Sequence, residues 1–271
     1  MTIAELQEDR VVEAVYAVRM KRKLRTKSGA SYLALELVDT TGRIEARVWN
    51  DVELLDGRFA EGDAVRVLGR VERFRDRLQL DVRSLEAAEV DPQTLTPSIR
   101  RDRDELAGFL EFLIGELTHP GLRATVEGVL ADRDLGAFPA TPEDHHSYSG
   151  GLLEHTIGVA TLCRETAQLH PRLRADLLLA AALLHDTGRT LELGRGPAFA
   201  VTTEGRLLGH VHLGLRLVEE RAEGLNAAQL AELLHCIAVH HDVRAARTAE
   251  AAVLYHANQL DAVAATRRTD S

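Results

Sequence analysis

The sequence predicts a chain of two unlike parts, an all-β barrel followed by an all-α domain. Apolar residues recur at every second position over the first ninety residues and at helical spacing beyond about residue 100. Prolines at Asp91-Pro92 and Thr96-Pro97 mark the change between them. The charge shifts at the same place: residues 1–90 carry 16 Lys/Arg against 17 Asp/Glu, and the remainder 17 against 25. A chain of 271 residues with 45% hydrophobic content can bury a core in each part. The expected boundaries are 1–91 for the barrel, 92–140 for a helical linker region and 141–271 for the second domain.

Five strands are expected. The first is Val11–Val18. Ser31–Val38 sets Leu33, Leu35 and Leu37 on one face and Tyr32, Ala34, Glu36 and Val38 on the other. The turn Asp39-Thr-Thr-Gly42 leads into Arg43–Asn50, with Ile44, Ala46 and Val48 inward and Arg43, Glu45, Arg47 and Trp49 outward. Val65–Val71 and Leu78–Val82 complete the set. Five strands in this length suit the small Greek-key barrel called the OB-fold. If the turn carries no bulge, Tyr32 lies opposite Trp49 beside Arg47, which makes a base-stacking face. The same register sets Glu36 against Glu45, which is unfavourable. Packing of the two aromatics under the linker or the second domain is the alternative. Arg19, Lys21, Arg22, Lys23, Arg25 and Lys27 form a basic cluster, read as a nucleic-acid contact or else as a solvated loop.

The second part reads as helices near 100–118, 122–131, 151–169, 173–187, 208–222, 227–241 and 249–266, with a loop at 139–149. Amphipathic helices in 93–138 leave open whether they pack within the chain or between copies of a homo-oligomer. No run of roughly eighteen apolar residues and no leader pattern occur, so a cytoplasmic protein without membrane contact is expected. Cys163 and Cys236 sit in apolar helical runs and are expected to be reduced. The net charge of −9 argues against wholesale coating of nucleic acid but leaves room for a local basic face.

Histidines carry the chemistry. His185-Asp186 ends an apolar helix, with Gly188 placed as a C-terminal cap. His155 follows Gly150-Gly151, whose bare backbone would admit a ligand, His210 follows Gly209, and His240-His241 end another helix. Imidazole and carboxylate donors together suit Mn, Fe, Co, Ni or Zn more than an all-oxygen magnesium site. His119 and His170 each precede proline in a loop and are given no role.

These segments resemble a known family. His155, His185-Asp186 and a later acidic position resemble the ordered signature of the HD phosphohydrolase superfamily. His145-His-Ser-Tyr-Ser-Gly-Gly-Leu-Leu-Glu-His155, Leu184-His-Asp-Thr-Gly-Arg189, Thr203 to His210 and Val239-His-His241 are similar to the YhaM-type 3′→5′ exoribonucleases, as is Thr26 to Trp49 in the barrel. The resemblance implies metal-dependent removal of nucleotides from the 3′ ends of single-stranded RNA or DNA, by two divalent ions, most readily Mn. It implies that His155, His185, Asp186 and Asn258 hold one ion, and Asp186, His210 and His240 the other. Arg189 and His241 would contact phosphate or protonate the leaving group. Tyr32, Arg47, Trp49, Lys21, Arg22, Lys23, Arg25 and Lys27 would grip the strand. Two positions depart from the family. Arg189 stands where Lys is usual, and Asn258 stands where the closing aspartate falls. An amide oxygen can coordinate but brings no charge. Asp261, three residues on, lies on a neighbouring turn, and its reach is left open. A binding protein with a degenerate HD site, or an HD enzyme acting on nucleotides or cyclic dinucleotides, are the alternatives.

Overall fold

Alternating side chains close the first part into a barrel. In the computed structural model, which describes residues 1–266 except 97, 100, 143 and 144, five strands form it. They are β1 (Val11–Arg25), β2 (Ser31–Asp39), β3 (Gly42–Val48), β4 (Ala64–Phe74) and β5 (Arg77–Ala87). Their order is β1-β2-β3-β5-β4, with β4 returning to β1 and β3 parallel to β5. A short helix, α1 (Val52–Asp56), joins β3 to β4. Leu33, Leu35, Leu37, Ile44, Ala46 and Val48 are all buried in the barrel core, as their alternation requires. This is the OB-type barrel expected.

The first strand is longer than its apolar run. It continues through the basic cluster to Arg25, with a bulge between Val18 and Met20. Arg19 to Arg25 are therefore strand, not solvated loop, and only Lys27 lies in the turn that follows.

The second part is helical: α2 (Arg103–Gly115), α3 (Pro120–Leu130), α4 (Gly151–Leu169), α5 (Ala175–Leu184), α6 (Arg189–Glu192), α7 (Thr203–Arg221), α8 (Ala227–Ala238) and α9 (Ala249–Thr266). Pro97, Arg100 and the chain end at 271, which bound expected elements, lie outside the described residues. α5 is apolar on every side because it is central. Leu177 to Leu184 are all buried, in one core with residues of α2, α3, α4, α8 and α9. The apolar faces of α2 and α3 pack into that core, while Phe109 and Phe112 stay exposed and stacked on each other. By compactness the chain divides into Met1–Ser98 with Arg195–Ala200, and Ile99–Gly194 with Val201–Ser271. No described helix is long and apolar enough to cross a membrane.

Candidate metal centre and nucleic-acid face

The central helix delivers its last residues into the core. His185 caps α5 and is fully buried, and Asp186 is 3% exposed. His185 Nδ1 donates to the carbonyl of Ala182 at 2.8 Å, and His240, just past α8, repeats the pattern on Ile237 at 2.6 Å. A carbonyl only accepts, so both rings carry their proton on Nδ1 and turn a bare Nε2 inward. His155, in the second turn of α4, holds Nδ1 2.7 Å from Asp261 Oδ2, a carboxylate that also only accepts.

Two donor groups meet at Asp186. On one side, Asp186 Oδ2 is 3.8 Å from both His155 Nε2 and His185 Nε2. On the other, Oδ1 is 3.2 Å from His210 Nε2 and 3.5 Å from His240 Nε2. His241 joins the second group, its Nε2 3.0 Å from that of His210. The first group is sealed, whereas His210 is partly open and His241 faces solvent.

The atoms fit a cation. His155 and His185 turn bare Nε2 atoms toward each other at 3.3 Å, which is repulsive unless a positive charge lies between them. Asp186 Oδ1, His240 Nε2 and Arg189 Nε are buried with no hydrogen-bond partner among the described residues. Burial pushes His185 down to about 3, and partial burial of its ring, with His240 beside it, lowers the more open His241 to about 4, so both stay neutral and able to coordinate at pH 7. Burial alone would raise Asp186, but the charge of Arg189 and the surrounding imidazoles hold it well below the usual carboxylate range.

Several positions read differently from expectation. Gly188 is not a left-handed cap: its φ is −61°, and it begins α6. Its missing side chain instead lets α7 lie against it. Gly150 and Gly151 admit no ligand, because a β-carbon on Gly151 would overlap the carbonyl of His146, and one on Gly150 would stand 2.9 Å from Ile99. Arg189 Nη1 donates to Glu192 at 2.6 Å, with its Nε 3.7 Å from Asp186. Asn258 is buried on α9 and donates from Nδ2 to the carbonyl of His240 at 3.5 Å. His119 has a structural task, accepting the Leu122 amide as the N-cap of α3.

Sequence reasoning left the reach of Asp261 open and assigned no role to His146 or Glu192. His146 Nε2 lies 3.0 Å from Asp261 Oδ2 and its Nδ1 2.8 Å from Tyr148 Oη, which donates to Glu154. Despite burial, those carboxylates push His146 up to about 9. Glu192 accepts the backbone amide of His210 at 3.2 Å, where Gly209 breaks α7 with φ 71°. The repeated histidine before Tyr148 was the only available signal for the first of these networks.

On the barrel, Leu33 pairs with Val48 and Ala34 with Arg47 without a bulge. Tyr32 and Trp49 consequently stack, with ring centroids 4.7 Å apart, and Arg47 lies 5.9 Å from the Tyr32 ring. Trp49 is 47% exposed. Cross-strand partners share a face, so Leu24, Tyr32 and Trp49 form one row and Arg22, Ala34 and Arg47 the next. Glu36 does oppose Glu45, but Arg19 pairs with the first and Arg47 with the second at 2.9 Å.

Strand parity divides the basic cluster. Lys21 and Lys23 pair with Leu35 and Leu33, on the opposite face from Arg22. Lys21 Nζ donates to the carbonyls of Asp56 and Phe59 at 2.5 and 2.7 Å, and Lys23 meets Glu53 and Asp56. These two lysines anchor the end of α1. Arg22, Arg25 and Lys27 are exposed, with no side-chain partner among the described residues.

Fold and site together define a class, an OB-fold barrel joined to a metal-dependent HD domain. Residues 152–263 match the HD domain model, and residues 15–88 the model described as OB-fold nucleic acid binding domain. The chain is similar over most of its length to curated 3′-5′ exoribonucleases. It is 27% identical over 267 residues to the 3′-5′ exoribonuclease YhaM of Geobacillus sp. (strain WCH70), covering 93% of this chain and 82% of that one. It is 27% identical over 265 residues to YhaM of Bacillus subtilis (strain 168), covering 93% and 84%. With YhaM of Bacillus velezensis it shares 28% over 267 residues, again covering 93% and 84%.

Proposed function

We propose that this protein is a metal-dependent 3′→5′ exonuclease that shortens single-stranded RNA or DNA to nucleoside monophosphates. The observation that carries the reading is the meeting of five imidazoles around the two oxygens of Asp186, with the bare Nε2 atoms of His155 and His185 facing each other at 3.3 Å and those of His210 and His241 3.0 Å apart. His155, His185 and Asp186 would hold one divalent ion, with Asn258 beside them. Asp186, His210, His240 and His241 would hold a second. His241 thus moves from leaving-group acid to ligand. Imidazole with carboxylate admits Mn, Fe, Co, Ni or Zn, and manganese is the ion that the family resemblance favours. Such ions would supply Lewis acidity, lowering the pKa of a bound water and neutralising charge that gathers on the phosphoryl oxygens.

The chain's own groups do the rest. Arg189 Nε, buried and without a hydrogen bond among the described residues, is the donor left for a phosphate oxygen, while its Nη1 is spent on Glu192. The substrate phosphate enters from the His210–His241 side, since the His155–His185 side is closed. Tyr32, Trp49 and Arg47 stack and grip bases of the strand, and Arg22, Arg25 and Lys27 hold its phosphates. Lys21 and Lys23 fall out of that set. The two buried free cysteines suit a cytoplasmic setting.

The test is incubation with Mn²⁺ and a 5′-labelled single-stranded oligomer. A ladder shortening from the 3′ end, absent in Asp186→Ala, is expected. Binding without cleavage in every divalent metal contradicts the reading and points to a binding protein. Turnover of mononucleotides or cyclic dinucleotides alone points to a different HD enzyme.

A further inference from the structure

We propose that Asp261 is the positioning residue of the sealed half of the metal centre: it fixes His155 so that Nε2 faces the ion, and returns from outside the ligand shell the charge that Asn258 does not bring. The inference rests on the metal reading above. Asp261 lies one turn beyond Asn258 on α9 and reaches across to α4. Its Oδ2 takes the Nδ1 proton of His155 at 2.7 Å, and the ring is fully buried, so no water competes for that proton. Nε2 is thereby left bare, 3.3 Å from His185 Nε2 and 3.8 Å from Asp186 Oδ2. A carboxylate on the far nitrogen makes an imidazole a stronger donor and fixes its orientation.

The carboxylate is itself held and given room. His146 Nε2 donates to the same Oδ2 at 3.0 Å and is anchored by Tyr148 at 2.8 Å, which leans on Glu154. On α4, Gly158 lies one turn beyond Glu154. A β-carbon there would overlap Asp261 Oδ1 and stand 3.0 Å from its Cγ. Glycine weakens a helix interior, so its presence in the middle of α4 is explained by the space Asp261 occupies. His146 from the loop before α4, and His155 and Gly158 from α4 itself, thus converge on the one carboxylate that α9 supplies.

The test uses the full chain stripped of metal, with Mn²⁺ affinity read from the paramagnetic resonance of the free ion. Asp261→Asn and Gly158→Ala are each expected to weaken one class of Mn²⁺ site by about tenfold to a hundredfold, the usual effect of losing an outer partner of a ligand. Unfolding midpoints in chelator are read beside the affinities, and affinities are compared at a temperature where every variant is fully folded. Long-range ¹H–¹⁵N spectra should show His155 as a single Nδ1–H tautomer in the parent and a mixture in Asp261→Asn. Should that variant fail to fold, Gly158→Ala and Asp261→Glu carry the test. Unchanged affinity and tautomer in these variants, beside lost binding in Asp186→Ala, overturns this inference alone. A parent that binds no Mn²⁺ saturably overturns the metal reading and this with it.

Discussion

Gly188 lies directly beneath the carbonyl of His210. A β-carbon on Gly188 would overlap that oxygen and stand 2.5 Å from the amide nitrogen of Gly214. The segment that carries His185-Asp186 and the helix that carries His210 therefore meet backbone to backbone at this point, and this closeness brings Asp186 Oδ1 to 3.2 Å from His210 Nε2. Backbone cannot swing aside as a side chain can. Gly188→Ala is expected to destabilise the helical unit by about 1–3 kcal/mol, the usual cost of overpacking, and to lower metal retention. Thermal unfolding and metal content after dialysis check both.

Gly209 makes a different demand on the same helix. Its φ of 71° and ψ of 159° break α7 one residue before His210, and nothing lies within 4 Å of a β-carbon built there. Conformation alone, not space, opposes a side chain. Gly209→Ala should cost about 1–3 kcal/mol and reduce cleavage more than Gly205 or other helix-start changes of equal stability. Comparing unfolding midpoint with cleavage rate checks it.

Much of this was legible in the chain. Alternation over 31–38 and 43–50 is a local property, and with no bulge between β2 and β3 the turn at 39–42 set Tyr32 on Trp49. The imidazoles that meet Asp186 stood out because they end or begin helices in an otherwise apolar sequence. Three features were not legible. The bulge after Val18 and the run of β1 into the basic cluster decide which lysines face α1, and a charge run does not announce its parity. The contact of Asp261 with His155 spans 106 residues, so spacing along α9 says nothing of it. Gly188 carries no mark that separates a cap from a crossing.

The aromatic pair is expected to serve binding rather than chemistry. Trp49→Ala should weaken oligomer affinity by about 1–3 kcal/mol while leaving hydrolysis of bis-p-nitrophenyl phosphate unchanged. Equal loss of both would make Trp49 a structural residue. Fluorescence titration and a colorimetric rate separate the outcomes.

Strand parity gives opposite expectations for adjacent residues. Arg22→Ala should weaken single-strand binding and reduce the salt slope of log K by about 0.7, the share of one phosphate contact. Lys21→Met should leave that slope alone and lower barrel stability by about 1–3 kcal/mol, because the carbonyls of Asp56 and Phe59 lose their donor. Salt titrations and urea unfolding check the pair.

Acid should loosen the helical unit through Glu250. Burial would raise this carboxyl, but the Arg174 side chain and amide lower it below its ordinary 4.5. A depressed folded value means stabilisation is complete above 4.5 and is lost as pH falls through the lower folded value. Glu250→Gln is expected to be less stable at pH 7 and to lose less further stability between about pH 5 and pH 3. Urea midpoints across that range check the sign.

The central claim is that Asp186 stands between two divalent ions held by imidazoles. Anomalous diffraction at the manganese edge, from crystals grown with Mn²⁺, tests it most directly. The account predicts one peak among His155, His185 and Asp186 Oδ2, and another among Asp186 Oδ1, His210, His240 and His241. Crystals saturated with Mn²⁺ that show no peak at Asp186 would contradict it.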